Sequence, residues 1–221
     1  TVVYALDEGR RRLLWIGKDR RKSTLEAFFR WFGRGPTLGL KAIASDMWEP
    51  YLSVIAKRVP SALNVLDRFH ITANVHKAVD KVRAEEARAL ARKGTPVLKH
   101  TRWLLLRSPE TLKKKHAVSL ARLLKLNLKT VRAYLLKEGL RTVFRLPPEE
   151  AADALDRWIA WARRCRIEPF VKIQQRIAKH RAEILAAIEH GLSNGLVESV
   201  NTKIRLITRM AFGFRSPDAL I

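Results

Sequence analysis

Cysteine is almost absent from this 221-residue chain, in which Cys165 is the only one. A single cysteine excludes a disulfide within the chain and any zinc site built from several thiolates. Because disulfide-stabilised secreted proteins are rich in cysteine, the composition favours a reducing compartment. We therefore expect a cytoplasmic protein.

Long apolar runs are also lacking. The longest candidates contain arginine or lysine and fall short of the roughly 20 residues that cross a bilayer. Thr1–Leu6 is followed at once by Asp7, Glu8 and an arginine run, which excludes a secretory signal at this point. The first residue is not methionine, and a strand-like segment opens the chain. We expect a fragment of a longer protein, with no membrane partner.

Several common catalytic motifs are missing. The chain contains no glycine-rich phosphate-binding loop, no G-x-S-x-G, no H-E-x-x-H and no nucleophilic cysteine motif. These absences leave carboxylates as the main candidates for chemistry.

Acidic residues are in short supply, and this shortage is the strongest compositional signal. Lys and Arg number 44 against 21 Asp and Glu, so the net charge is +23. A surplus of that size favours a polyanionic partner, with DNA or RNA before an anionic membrane surface. Of the six tryptophans we expect most in the core, with one exposed on a helix and able to stack on a base.

The first third of the chain predicts alternating strands and helices. Strand-like segments are Thr1–Leu6, Leu13–Ile16, Leu40–Ala44 and Ala62–Leu66. The first two predict a hairpin. Apolar residues at helical spacing predict a helix from about Ser23 and another from Trp48 to Val59, and the glycine-rich segment 33–39 predicts a loop.

Strand signals disappear after Phe69. Amphipathic patterns predict helices near residues 72–92, 109–126, 129–144, 148–165 and 168–190, and a last helix near 196–210. Strands and helices followed by a long helical stretch and one further helix indicate an α/β layer interrupted by a helical insertion.

Two aspartates follow predicted strands directly. Asp46 comes after Leu40–Ala44, and Asp67 after Ala62–Leu66. Carboxylates at the carboxyl ends of strands are placed for catalysis or metal binding. Each is equally suited to cap the following helix, and Asp67 is suited to pair with Arg68. His70 and His76 are six residues apart, do not share a helix face, and are expected to be ordinary, partly buried histidines.

Glu198 lies on the predicted last helix, beside an apolar stripe. The stripe next to it holds residues of mixed chemistry at helical spacing: Glu198, Asn201, Thr202, Arg205 and Arg209. Such a face suits a metal–phosphate site, in which the carboxylate binds the metal and the guanidinium groups contact phosphate. A Glu–Arg network on the surface is the alternative.

Taken together, the motifs resemble the transposases of the ISL-three group of bacterial insertion sequences. They are Ala44-Ser-Asp46-Met-Trp-Glu-Pro-Tyr51, Val65-Leu-Asp67-Arg-Phe-His70, Ser193-Asn-Gly-Leu-Val-Glu198-Ser-Val-Asn201-Thr-Lys203-Ile-Arg205-Leu-Ile-Thr-Arg209 and Ala211-Phe-Gly-Phe-Arg215. The resemblance covers nearly the whole chain and is weakest within residues 70–191.

The resemblance implies a ribonuclease-H-like mixed sheet with a large all-helical insertion. Residues 1–69 would form the α/β part, residues 70–191 the insertion, and residues 192–221 the helix that completes the catalytic core. Asp46 and Glu198 would be the second and third carboxylates of a D-D-E triad, which binds Mg²⁺, or alternatively Mn²⁺. The two should therefore face each other across a two-metal site.

The resemblance also implies DNA as the partner. Asn201, Lys203, Arg205, Arg209 and Arg215 match the DNA-contacting end of the motif, and the protein would act as a homo-oligomer on transposon ends and target DNA in the bacterial nucleoid. The implied function is metal-dependent cleavage and strand transfer of DNA.

One departure from the family pattern concerns the first aspartate of the triad. The opening strand that should carry it is not found, since Tyr4–Asp7 and Arg12–Ile16 resemble the second and third strands. Asp7 is then a hairpin residue, and we expect this chain alone to be inactive. The alternatives are a catalytically inactive or domesticated nucleic-acid-binding protein, and a helical scaffold that binds an acidic protein or a membrane.

Overall fold

The computed structural model describes residues 1–7, 10–45, 47–66 and 68–189, together with Leu206. These residues belong to two compact units, one containing residues 1–69 and the other containing residues 70–189. The fold is mixed α/β, with many helices and small sheets.

The chain opens with an antiparallel hairpin, as its sequence predicts. Strand β1 (Val2–Asp7) pairs with β2 (Arg10–Ile16), from Val2 opposite Ile16 to Asp7 opposite Arg10. β-branched and aromatic residues favour the extended backbone. Helix α1 (Lys22–Phe32) follows the hairpin, and a short helix, α2 (Arg34–Leu38), occupies the segment for which we predicted a loop.

A β–α–β unit follows. Strand β3 (Ala42–Ser45) and strand β4 (Leu63–Leu66) are parallel, and helix α3 (Glu49–Arg58) connects them. The register pairs Ala42 with Leu63 and Ser45 with Leu66. Both strands lie where the short apolar runs predict them.

The single mixed sheet that we expected is not formed by the described residues, which contain two separate two-stranded sheets. The two are joined by a shared apolar core instead of a hydrogen-bonded ladder. Phe28 and Phe29 of α1 pack with Val54 and Ile55 of α3, and side chains from both sheets, including Val3 and Ile43, pack against this cluster. The ribonuclease-H-like topology stays a prediction.

Residues 70–189 contain helices and no β-strand. Their helices, of which the first begins at Arg68, are α4 (Arg68–Arg92), α5 (Arg102–Leu106), α6 (Lys114–Leu124), α7 (Lys129–Val143), α8 (Pro148–Arg164), α9 (Glu168–Lys179) and α10 (Arg181–Glu189). The assignment of residues 70–191 as an insertion needs the chain beyond Glu189 and stays a prediction. No helix in the described part of the chain is both long and apolar enough to span a bilayer.

The helices of residues 100–189 differ from the predicted ones in three respects. Helix α5 was not expected, and the helix predicted from residue 109 begins at Lys114, after a 3₁₀ turn at Pro109–Thr111. The helix predicted over 168–190 is divided at His180, whose φ of −111° and ψ of 31° are not helical. No proline or glycine marks this break, so the sequence pattern does not reveal it.

Helix α7 is held by two long-range polar contacts. At its first turn the Glu86 carboxylate accepts hydrogen bonds from the backbone N–H groups of Lys129 (3.0 Å) and Thr130 (2.7 Å). In its middle the buried Lys137 ammonium donates to the Leu105 carbonyl oxygen at 2.7 Å and pairs with Glu138 at 2.6 Å. Burial lowers the pKa of Lys137. These partners compensate the cost of burying a charge.

Replacement of Glu86 tests the first of these contacts. Helix α7 has Leu128 at its N-cap and no side-chain cap of its own, so Glu86→Ala leaves two N–H groups without an acceptor. We expect the free energy of unfolding to fall by about 1 kcal/mol in urea titrations. The neighbouring exposed Glu85 is the control, and equal effects of Glu86→Ala and Glu85→Ala would contradict the assignment.

Candidate functional site

The carboxyl ends of β3 and β4 lie side by side, because the parallel register pairs Ser45 with Leu66, the last residue of each strand. The next residues in the sequence are Asp46 and Asp67, the two aspartates that sequence analysis singled out. Both lie outside the described residues. The structure therefore gives the strand ends that precede these carboxylates, and the convergence of the carboxylates stays a prediction.

Trp48 anchors the chain just after Asp46. The Arg20 guanidinium lies 4.7 Å from the centre of the Trp48 ring, and the Tyr51 ring meets it edge-on at 4.6 Å. Trp48 is also the N-cap residue of α3, and Pro50 lies at the start of that helix. Proline suits the first helical turn because its φ is already helical. These contacts hold Trp48 at the start of α3.

The remaining predicted site residues also lie outside the described residues. They are Glu198, Asn201, Lys203, Arg205, Arg209 and Arg215. Of the predicted helix 196–210 only Leu206 is described, as a helical and exposed residue. Within the described ranges no group of three or more His, Cys, Asp or Glu side chains could hold a metal ion. The predicted metal site is therefore untested.

Asp7 is the last residue of β1 and pairs with Arg10, the first residue of β2. The sequence likewise predicts Asp7 to be a residue of the hairpin.

The two histidines near Asp67 differ in environment. His76 is partly buried, as expected, and its pKa is lowered first by burial and then by the nearby Lys137 ammonium. His70 is exposed, contrary to expectation. It lies in the first turn of α4, and the apolar positions of that turn place Ile71 in the core instead.

The tryptophans correct a further expectation. We predicted most of them in the core, yet among the six only Trp158 is fully buried, and Trp31, Trp103 and Trp161 are exposed. Trp103 lies on the short helix α5 under the Arg102 guanidinium. Trp161 lies on α8 and lines an open cavity with Arg132 and Arg164. Sequence analysis missed this cavity because the helices that form it pair only in the folded chain.

The role of Trp48 can be tested through stability. Trp48→Ala removes the contacts with Arg20 and Tyr51 and part of a half-buried ring, so we expect a loss of about 1–3 kcal/mol in the free energy of unfolding. Trp31→Ala, at a ring that is 60% exposed, should cost less than about 1 kcal/mol. Urea titration of both variants measures the difference, and a larger loss for Trp31→Ala would show that Trp48 is not an anchor.

Comparison with known proteins covers the whole sequence, including the residues that the structure does not describe. Residues 1–221 match the ISL3 family of DDE proteins, described as transposase. The transposase for insertion sequence element IS1557 of Mycobacterium tuberculosis is 42% identical over all of this chain and 54% of its own length. The transposase for insertion sequence element IS1001 of Bordetella parapertussis is 34% identical, over 99% of this chain and 54% of its own length. The chain thus spans about half the length of these relatives. No solved structure matches it.

Proposed function

The chain belongs to the ISL3 family of DDE transposases, and from this premise we propose that it forms most of a catalytic domain that cleaves and joins DNA phosphodiesters. The proposal includes the ribonuclease-H-like arrangement, with Asp46 and Glu198 as two of its three carboxylates. The whole protein would carry out transposition of an insertion sequence.

The observation that best supports the proposal is the register of the β–α–β unit. Parallel strands joined by a helix bring their carboxyl ends to one edge, where ligands of α/β sheets collect. Ser45 ends one strand there, and Asp46 follows it in a sequence that matches the family throughout. Trp48 and Pro50 hold the backbone beyond this point. Metal binding requires fixed ligand positions, which the described elements on either side of Asp46 in the sequence would favour.

The donor set fits a hard divalent cation. Asp46 and Glu198 offer only carboxylate oxygens, which Mg²⁺ and Mn²⁺ prefer over sulfur or nitrogen. A bound cation would polarise the scissile phosphate and promote ionisation of the attacking hydroxyl. The two side chains would hold it, and a third carboxylate, which we place in the part of the protein preceding Thr1, would complete the set.

The basic residues near Glu198 in the sequence would bind the DNA strand. Arg205 and Arg209 lie seven and eleven residues beyond Glu198, which is two and three turns of a helix. On one helix face they would contact successive phosphates next to the scissile one. Asn201, Lys203 and Arg215 would add further contacts, and the net charge of +23 would draw DNA to the protein.

Substitution of the carboxylates distinguishes catalysis from DNA binding alone. In the protein that includes the preceding part of the reading frame, Asp46→Asn and Glu198→Gln should each reduce Mg²⁺-dependent nicking of element-end DNA by at least about a hundredfold, because each removes a metal ligand. Binding of the same DNA should change less than twofold. The matched control is Glu49→Gln, an exposed acid at the start of α3.

Residues 1–221 alone should not nick DNA, because two carboxylates bind Mg²⁺ weakly without the third. Nicking by this chain that Asp7→Asn abolishes would overturn the placement of the first carboxylate. Full nicking activity of Asp46→Asn or Glu198→Gln in the longer protein would instead favour a non-catalytic role for these residues.

The role of the arginines is tested through the salt dependence of binding. Arg205→Ala with Arg209→Ala should weaken duplex binding and lower the slope of log K against log salt by about 1.8, since each phosphate contact contributes about 0.9. Arg88 and Arg92 have the same spacing and are exposed on α4, so their double alanine variant controls for net charge. An unchanged slope for the Arg205 and Arg209 pair would mean that both pair with protein carboxylates.

A further inference from the structure

Helices α7 and α8 form an open cavity on the surface of the helical unit. Its volume is about 370 Å³, and it is lined by Arg132, Leu136, Trp161, Arg164 and Cys165. The volume falls within the range of small-molecule sites, which begins near 300 Å³. Arg132 and Leu136 come from α7, and Trp161 and Arg164 come from α8. The site is therefore built on two rigid elements that pack directly together.

The Trp161 ring is held in place from one side. Gly139 lets it approach the α7 backbone, because a Cβ at this position would lie 2.9 Å from Cζ3 of Trp161. One turn away, the Trp158 indole N–H donates to the Leu136 carbonyl oxygen at 2.8 Å and locks α8 onto α7. Trp161 nevertheless remains 44% exposed. The result is a fixed aromatic surface that faces solvent.

The charge of the cavity has one sign. Its lining contains two arginines and no acidic residue. Both arginines are exposed. Neither forms an ion pair with another described residue, and the Nε of Arg164 donates to the Ala160 carbonyl oxygen of its own helix. Arg163 and Arg166, next to the cavity in sequence, are exposed as well. An anion next to the ring therefore meets two guanidinium groups and no competing carboxylate from the lining.

We propose that this cavity binds an unpaired nucleotide of single-stranded DNA, with the base stacked on Trp161 and the adjoining phosphates contacted by Arg132 and Arg164. A flat apolar face beside a negative charge is what a nucleotide offers. Base pairs in a duplex hide their faces, so the site selects unpaired over paired DNA. The proposal rests on the proposed function, which supplies DNA as the partner. It adds a contact that is specific for single-stranded DNA and that lies far in sequence from Asp46.

Binding of a single-stranded oligonucleotide that carries 2-aminopurine tests the stacking. The fluorescence of this base should be quenched on binding to the wild-type chain. Trp161→Leu should lose the quenching and weaken single-strand binding roughly tenfold, since stacking on an aromatic contributes about 1–3 kcal/mol per base. Duplex binding should change less than twofold. Trp161→Phe keeps a ring and should retain most of the effect, and Trp103→Leu, at another exposed tryptophan, should have none.

The arginines are tested with a charge-matched neighbour. Arg132→Ala and Arg164→Ala should each lower the salt slope of single-strand binding by about 0.7. Arg163→Ala removes the same charge from an exposed position of α8 outside the cavity lining and should leave the slope nearly unchanged. Equal slopes for all three variants would show that the arginines act only through net charge and would overturn the phosphate assignment.

Cys165 reports occupancy of the cavity directly, because it lines the cavity and is the only cysteine in the chain. A single-stranded oligonucleotide should slow alkylation of this thiol at least threefold, whereas a duplex of the same length and free deoxynucleoside monophosphate should not. Protection by the monophosphate alone would point to a free-nucleotide site and overturn the proposal. Duplex binding without single-strand protection would refute this inference and leave the proposed function standing, whereas no binding of any DNA would refute both.

Discussion

The parallel pairing of β3 with β4 is the constraint on which the account of the catalytic site depends. Val65 and Leu66 are almost completely buried, and they lie on opposite faces of β4 because side chains alternate along a strand. A slip of one residue would turn each side chain of β4 to the other face and would move Leu66 away from Ser45. The observed register sets the last residues of the two strands side by side, and Asp46 is the next residue after Ser45 in the sequence. Helix α3 then spans the distance between the strands with Leu52 and Ile55 in the core.

Different kinds of contact stabilise the two units. In the first, the aromatic cluster of α1 holds the hairpin and the β–α–β unit around one core. In the second, the polar contacts of Lys137 and Glu86 and the hydrogen bond of Trp158 hold α7. Acidic side chains serve many of these internal contacts, so the surplus of basic side chains remains available to a polyanion.

Local patterns predicted the strands and most helices, because short β-branched runs, proline stops and helical spacing act within a few residues. The division at His180 was missed because no proline or glycine marks it, and the short helix α5 was missed because its five residues are too few to show a helical period. Among the described residues two small sheets stand in place of the expected single one, and side-chain packing between α1 and α3 joins them. Packing of distant segments leaves no local signature in the sequence. The cavity at Trp161 was missed for the same reason: Gly139 and Trp161 meet only when α7 and α8 pair. Asp46 was singled out by its position after a strand and Glu198 by its helical stripe, whereas only the resemblance assigned both to one triad, because a separation of 152 positions offers no local evidence of contact.

The central claim is that Asp46 and Glu198 bind the same divalent cation. Localised oxidative cleavage tests it most directly: Fe²⁺ is substituted for Mg²⁺ in the DNA complex of the longer protein, and ascorbate with peroxide then cuts the backbone close to the bound iron. A shared metal site predicts two cuts, one near residue 46 and one near residue 198, both suppressed by excess Mg²⁺ and both lost in Asp46→Asn. Cleavage near only one of the two residues, or a cut near 198 that persists in Asp46→Asn, would contradict a shared metal site.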